Sequence, residues 1–525
     1  MAATSNFVLG KVPVYLLPLF LVVLGWGSLN CYGFGTFGFD IHHKFSDPVR
    51  DIIGYDEVPQ KGTVDYYKVL VHGDHLIKAR HLTSDDQTTP LAFYPGNETI
   101  QLGGVFGYLH YANISVGTPS SSYLVALDTG SDLFWLPCDC TSCVGGVRSR
   151  DGNVREFNIF SPNTSSTSKK VSCNSTLCDL RRQCPSETST CPYQIKYLSN
   201  GTSSTGYLVE DVLHLITDDA KLKGVKAPIT FGCGTVQTGS FLEGAAPNGL
   251  IGLGIEDISV PSILAKEGYT SNSFSMCFGH EGVGRIRFGD KGSLDQGETP
   301  FSIRETHPTY NVTITQINVG GTDANLEFSA IFDSGTSFTY LNDPAYTLIS
   351  ESFNKMANED RHSSNSSIPF EYCYDLRPNQ TSFEYPALNF TMKGGHIYAV
   401  KDSVVVVSER GALIYCLGVV KSENVNIIGQ NFMTGYRITF DREKLVLGWK
   451  DSNCFKEEET ATLPVKPSGS PAISPAGTLS PEATSGSVNN SIKPEAAPPR
   501  NHSSKLNSFS FMFILLITCP LFVIV

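Results

Sequence analysis

Charge is the scarcest ingredient of this 525-residue chain, with Asp, Glu, Lys and Arg at 17% of all residues. That lies below the usual quarter and argues against a long coiled coil or a mainly disordered protein. Long basic runs are missing, and 39 Lys+Arg against 51 Asp+Glu leave a formal net charge of −12. A nucleic-acid surface is therefore not expected. Helical patterning is thin. Residues 262–266 and 344–356 are the better candidates, the second with Asp343 as cap and Pro344 as first helical residue. No Gly-x-Ser-x-Gly occurs, so a serine-hydrolase elbow has no support.

What the chain has in quantity is cysteine, glycine and proline. Fourteen Cys exceed what a reduced compartment tolerates and point to an oxidising one. With 48 Gly, 29 Pro and 41% hydrophobic residues, the chain reads as globular and rich in turns, long enough for two or three domains. Cys140-Thr141-Ser142-Cys143 has zinc-like spacing but lacks a clear second ligand pair, so no metal or cofactor is expected.

Both ends carry address signals. Residues 1–33 have one Lys, an apolar middle interrupted by Pro13 and Pro18, and small residues near a cut, the pattern of a secretory signal. Residues 509–525 form a terminal apolar run with no charge after Lys505, behind a polar spacer with small residues. That arrangement is a GPI-attachment signal, with Asn501 or Ser503 as attachment candidates and Asn490 a third. A secretory route to the outer face of the plasma membrane, through a GPI lipid, is the expectation. The cell wall or apoplast is its variant.

Eleven Asn-x-Ser/Thr sequons suit a secreted glycoprotein: Asn97, Asn113, Asn163, Asn174, Asn200, Asn311, Asn365, Asn379, Asn389, Asn489 and Asn501. Between the signals, composition separates a polar leader (34–103) from a globular body and a Pro/Ser/Thr-rich stalk (455–508). The leader holds five His and a short basic patch but no dense hydrophobic periodicity. The body reads as mostly β, with alternating segments such as 123–127, 310–314 and 436–440 bounded by turn residues.

An internal repeat organises the body. Ala126-Leu127-Asp128-Thr129-Gly130-Ser131 is followed by Leu250-Ile251-Gly252, and Ile331-Phe332-Asp333-Ser334-Gly335-Thr336 by Ile427-Ile428-Gly429. One Asp-Ser/Thr-Gly is ordinarily a turn. Two copies with the same apolar lead-in, hydroxyl follower and downstream apolar-Gly element are not chance. The natural architecture is two lobes, 104–300 with a Cys-rich insertion at 138–191 and 301–454, each supplying one Asp. Two carboxylates held together share one proton. The ionised one can activate a water while the other polarises a carbonyl. Gly130 and Gly335 let backbone N–H groups approach, and Ser131 and Thr336 can donate to the outer oxygens.

These residues resemble the pepsin-like aspartic proteases across the body, helped by Ile114-Ser115-Val116-Gly117-Thr118-Pro119 and by Trp135. The resemblance implies an all-β, bilobal fold with minor α content and an Asp128/Asp333 dyad between the lobes. Thr129 and Ser334 would cross-brace the loops. Tyr197 would be the flap tyrosine with Trp135 as partner, although Leu198-Ser199-Asn200 replaces the usual Tyr-Gly. The Cys-rich insertion and stalk look like the plant nepenthesin-like branch, which implies bridges Cys373–Cys416 and Cys233–Cys454. The implied function is an acid endopeptidase acting on polypeptides without metal or cofactor, as a monomer, with the leader as pro-segment. A catalytically silent cell-surface binding protein of the same fold is the alternative.

Overall fold

The computed structural model describes residues 36–53, 59–78, 107–148, 154–197, 201–218, 222–242, 244–279, 282–303, 308–362, 368–378, 380, 382–454 and 478–479. The signal, the stalk apart from 478–479, the tail, all three GPI candidates and the sequons at Asn97, Asn200, Asn365, Asn379, Asn489 and Asn501 lie outside them.

Among the described residues, strand accounts for 46% and helix for 14%, which settles the class as mostly β. Strand Ser121–Asp128 is buried without interruption from Tyr123 onward, as a strand covered on both faces must be. Val283–Phe288 alternates between half-buried and buried positions, the mark of a strand with one outer face. A 14-stranded sheet carries the first lobe. It also takes in Tyr436–Asp441 and Val446–Asp451 from the end of the body, the former pairing with Ser273–Phe278. A 7-stranded sheet carries the second lobe. The two expected helices form as Val260–Lys266 and Ala345–Met356. Pro344 is the cap of the second and not its first residue, while Asp343 accepts from Thr347 one turn on.

The leader departs most from expectation, because it folds into the body. Phe37–His43 inserts between Val283–Phe288 and His110–Val116, antiparallel to both. Arg285 ties it down by pairing with Asp40 and with Asp218. Helix Val64–Lys78 buries Tyr67, Leu70 and Val71 against Phe338, Phe370, Val407 and Ile414. The Tyr67 hydroxyl donates to the Val406 carbonyl at 3.1 Å. Val64 and Tyr66 pack partly buried beside those three, a short stripe in an otherwise polar leader.

Two other expectations need correction. Cys233 bonds Cys138 and Cys454 bonds Cys277, so the Cys233–Cys454 bridge does not form. The reason is pairing geometry: Gly232–Gly234 runs parallel to Trp135–Pro137, which sets Cys233 beside residue 138. Cys373–Cys416 is present, its residues directly opposite in neighbouring strands. Cys140–Cys143, Cys173–Cys184 and Cys178–Cys191 use the remaining described cysteines, which leaves no thiolate for zinc among them. The sequon at Asn311 is 5% exposed at the start of an interior strand and cannot carry a glycan in the folded protein. Asn113, Asn163 and Asn174 are exposed, and Asn389 is half-buried.

Candidate active site

Each half of the repeat builds the same small structure. Strand Ser121–Asp128 delivers Asp128 at its end, and Leu250–Gly252 runs parallel beside it with Gly252 opposite Asp128. Strand Thr322–Phe332 stops one residue before Asp333, and Ile427–Ile428 runs parallel beside it. The downstream apolar-Gly elements are therefore the neighbours that hold the two Asp loops. Leu253 N–H donates to the Asp128 carbonyl at 2.9 Å, and Asp333 N–H donates to the Ile428 carbonyl at 3.2 Å. The glycines allow close passage. A Cβ on Gly252 would sit 2.2 Å from the Asp132 backbone, and one on Gly429 would sit 2.1 Å from the Phe338 carbonyl oxygen.

The carboxylates receive mirrored donor sets. Asp128 Oδ1 accepts Gly130 N–H at 3.0 Å, and its Oδ2 accepts the Ser131 hydroxyl at 2.5 Å. Asp333 Oδ1 accepts Gly335 N–H at 2.9 Å, and its Oδ2 accepts the Thr336 hydroxyl at 2.8 Å. Across the loops, Thr129 Oγ1 accepts Ser334 N–H at 3.1 Å and lies 3.4 Å from Ser334 Oγ. Both Asp residues are fully buried. Two buried carboxylates on bridged loops suit a shared proton and a water activated between them. The donors to each outer oxygen fix its orientation.

Tyr197 directly follows strand Pro192–Lys196, which forms a hairpin with Ser203–Ile216. Its hydroxyl accepts Trp135 Nε1–H at 3.1 Å, and both rings pack edge-on against Phe241. The expected Tyr197–Trp135 pair is thus in contact, and Phe241 joins it as a partner that sequence reading did not single out.

Three further groups escaped sequence reading. Asp132, directly after Ser131, accepts Glu256 N–H at 2.8 Å, and burial pushes its carboxyl up to about 6. Asp74 of the leader helix reaches the second Asp loop. Its Oδ1 accepts Ser337 N–H at 2.6 Å, and its Oδ2 accepts Phe338 N–H and the Tyr340 hydroxyl, each at 3.1 Å. Burial pushes this carboxyl up to about 6, and it pushes the neighbouring Lys44 ammonium down to about 8. No motif flags Asp74, since it is one acid among ten in residues 34–101.

Comparisons with known proteins bear on the family and the fold. A family model described as "Xylanase inhibitor N-terminal" matches residues 110–290, and "Xylanase inhibitor C-terminal" matches 309–451. "Aspartyl protease family protein 1" of Arabidopsis thaliana is 58% identical over 468 residues, covering 89% of this chain and 91% of that protein. "Aspartic proteinase nepenthesin-2" of Nepenthes gracilis is 25% identical, covering 83% and 99%. Among solved structures, soybean basic 7S globulin aligns with a TM-score of 0.51 at 20% identity, covering 66% of this chain and 92% of its own. Conglutin gamma from lupine seeds aligns at 0.52, with the same identity and coverage. These two likenesses speak for the bilobal fold alone. With the mirrored Asp loops and relatives of this identity, the chain belongs to the pepsin-like aspartic protease family.

Proposed function

We propose that the protein is an acid endopeptidase in which Asp128 and Asp333 activate a water for attack on a peptide carbonyl. The observation that carries this reading is the mirrored donor set: each carboxylate keeps its own glycine N–H and hydroxyl, and the Thr129–Ser334 brace joins the loops. One carboxylate, ionised, takes a proton from the water as it attacks. The other, protonated, donates to the carbonyl oxygen, so charge never accumulates on the tetrahedral intermediate. The polar leader serves as pro-segment. The signal, stalk and terminal apolar run carry the enzyme through the secretory pathway to a GPI anchor at Asn501 or Ser503 on the outer face of the plasma membrane.

The test is hydrolysis of an unfolded protein substrate from pH 3 to 8, with and without pepstatin, beside Asp128→Asn. The expected result is cleavage at acidic pH that both controls abolish. A peak at or above pH 7.5 contradicts the mechanism. No cleavage at any pH, even after removal of the leader, leaves the silent binding protein as the reading. Release of the protein from membranes by a GPI-specific phospholipase tests the anchor separately.

A further inference from the structure

Residues 253–256, directly after Gly252, face two ways. Their N–H groups serve the first Asp loop: Leu253 donates to the Asp128 carbonyl and Gly254 to the Ser131 carbonyl, each at 2.9 Å, and Glu256 donates to Asp132 Oδ1 at 2.8 Å. Their carbonyls are met from the other half of the repeat. The Tyr310 hydroxyl donates to the Leu253 carbonyl, and Arg442 Nη2 donates to the Ile255 carbonyl, each at 2.7 Å. Tyr310 also reaches the second loop, because its own carbonyl accepts Phe332 N–H at 3.0 Å, one residue before Asp333. A hydrogen-bonded path therefore runs from Asp128 through Leu253 and Tyr310 to Phe332. Both donors are held firmly. Tyr310 is buried with its ring against Phe274, Phe301 and Phe440, and Arg442 is buried with a second hold on Ser262 Oγ. Burial pushes the Tyr310 hydroxyl above its ordinary value, so it stays a donor across the acid range. The matching segment of the second half is served differently. Gln430 and Asn431 N–H groups serve the Thr336 and Ser337 carbonyls, but the Phe432 carbonyl takes the hydroxyl of Tyr398, a residue of the same half.

From this we infer that Tyr310 and Arg442 are positioning residues for the Asp128/Asp333 pair, holding the first Asp loop against the second through residues 253–256. The inference rests on the endopeptidase reading and extends it to groups that never touch substrate. Two carboxylates share a proton only while their separation is held, and the closeness that lets them share it also drives their two apparent pKa values apart. The Thr129–Ser334 brace joins the residues after each Asp. The Tyr310 path instead runs to the Asp128 carbonyl and to the residue before Asp333, so the two ties together fix orientation as well as distance. Removing the Tyr310 hydroxyl leaves the buried Leu253 carbonyl without its donor. Residues 253–256 then shift, and the Asp128 loop, bonded to their N–H groups, moves with them.

The experiment uses the full chain, allowed to activate at acidic pH and first shown to cleave an unfolded protein. Tyr310→Phe and Arg442→Lys are compared with it through pH profiles of kcat and kcat/KM on one peptide. Tyr436→Phe is the control, since its hydroxyl likewise donates to a backbone carbonyl, that of Ala399 at 2.7 Å, outside residues 253–256. In both test variants kcat should fall about tenfold with KM within about twofold of the wild type. The two limbs of the bell-shaped kcat/KM profile should also draw together by about half a pH unit, and the control should show neither change. A variant that is merely less stable loses active molecules, which titration with pepstatin counts, without moving either limb. Limbs as far apart as in the wild type, in a folded Tyr310→Phe enzyme, overturn the positioning role while leaving the endopeptidase intact. If that variant does not fold, Arg442→Lys decides by the same criterion. A wild-type preparation that cleaves nothing at any pH overturns both.

Discussion

Gly252 and Gly429 show how much of this site depends on single atoms. Neither has a left-handed backbone, so their role is space, and the space is occupied by the chain that carries Asp132 in one half and Phe338 in the other. Gly252→Ala or Gly429→Ala forces a methyl group into backbone and should cost about 1–3 kcal/mol of stability, with a larger fractional loss of kcat because the Asp loops move. Gly224→Ala, where a Cβ meets nothing within 4 Å, is the control. Urea unfolding beside peptide hydrolysis checks this, and equal behaviour of the three variants would refute it. The brace makes a second residue-level prediction. Thr129→Ala strands the buried Ser334 N–H and should destabilise by about 1–3 kcal/mol, while Thr129→Ser keeps the acceptor and most of the activity. If the alanine and serine variants unfold at the same urea concentration, the brace contributes nothing. These residues were legible because the repeat prints them twice, whereas Asp74 was not. Its meaning depends on which N–H groups a distant loop presents, and nothing in the sequence around it encodes that.

Among elements, the leader is where reading by pattern fell short, since an inserted strand and one short apolar stripe give little periodicity to detect. Its seam with the body is also where pH should act. His43 accepts Phe45 N–H through Nδ1 at 3.2 Å, and its ring lies 5.7 Å from that of His110. Burial pushes His43 well below its ordinary value, with His110, Lys44 and Lys61 adding in the same direction. Burial likewise pushes His110 down to about 3, helped by His42. His42, beside Asp40, is itself lowered by burial. A histidine held below its unfolded value binds fewer protons when folded. Its contribution is therefore complete above pH 6.5 and lost as pH falls toward 3, up to about 2 kcal/mol for His110 between pH 6.5 and 5. Asp74 acts oppositely: its carboxyl, raised to about 6, takes its proton first in the docked state, so the cost of its burial eases below pH 6. Lys44, lowered to about 8, is charged throughout this acid range and adds no slope there. Three histidines against one carboxylate leave a net loosening of the leader on acidification. Hydrogen exchange over residues 37–43 should accelerate from pH 7 to 5 after correction for intrinsic rates, and less so in His110→Asn. An equal acceleration in that variant would remove the histidines from the account.

At the scale of the whole molecule, two further features join the halves of the repeat away from the Thr129–Ser334 brace. The first is the sheet, in which Tyr436–Asp441 from the far end of the body pairs with Ser273–Phe278. The second is Cys277–Cys454, which closes a sequence separation of 177 residues across that same seam. The Cys-rich insertion, by contrast, is stapled locally, with Cys173–Cys184 spanning 11 residues and Cys178–Cys191 spanning 13. Pairing of this kind could not be read from cysteine order, because it follows from which strands lie side by side. A crosslink restricts the unfolded chain more as its loop lengthens. In the chain-entropy account the long bridge contributes about 5 kcal/mol and each short one about 3. Replacing Cys277 and Cys454 together by Ser should therefore lower the urea midpoint more than replacing Cys173 and Cys184. It should also lower activity well before global unfolding, since the halves that carry Asp128 and Asp333 would then be joined there by strand pairing alone. A long-bridge variant at least as stable as the short-bridge variant, with activity lost only at its unfolding transition, would show that the shared sheet and side-chain ties such as the Thr129–Ser334 brace hold the two Asp loops in register without the bridge.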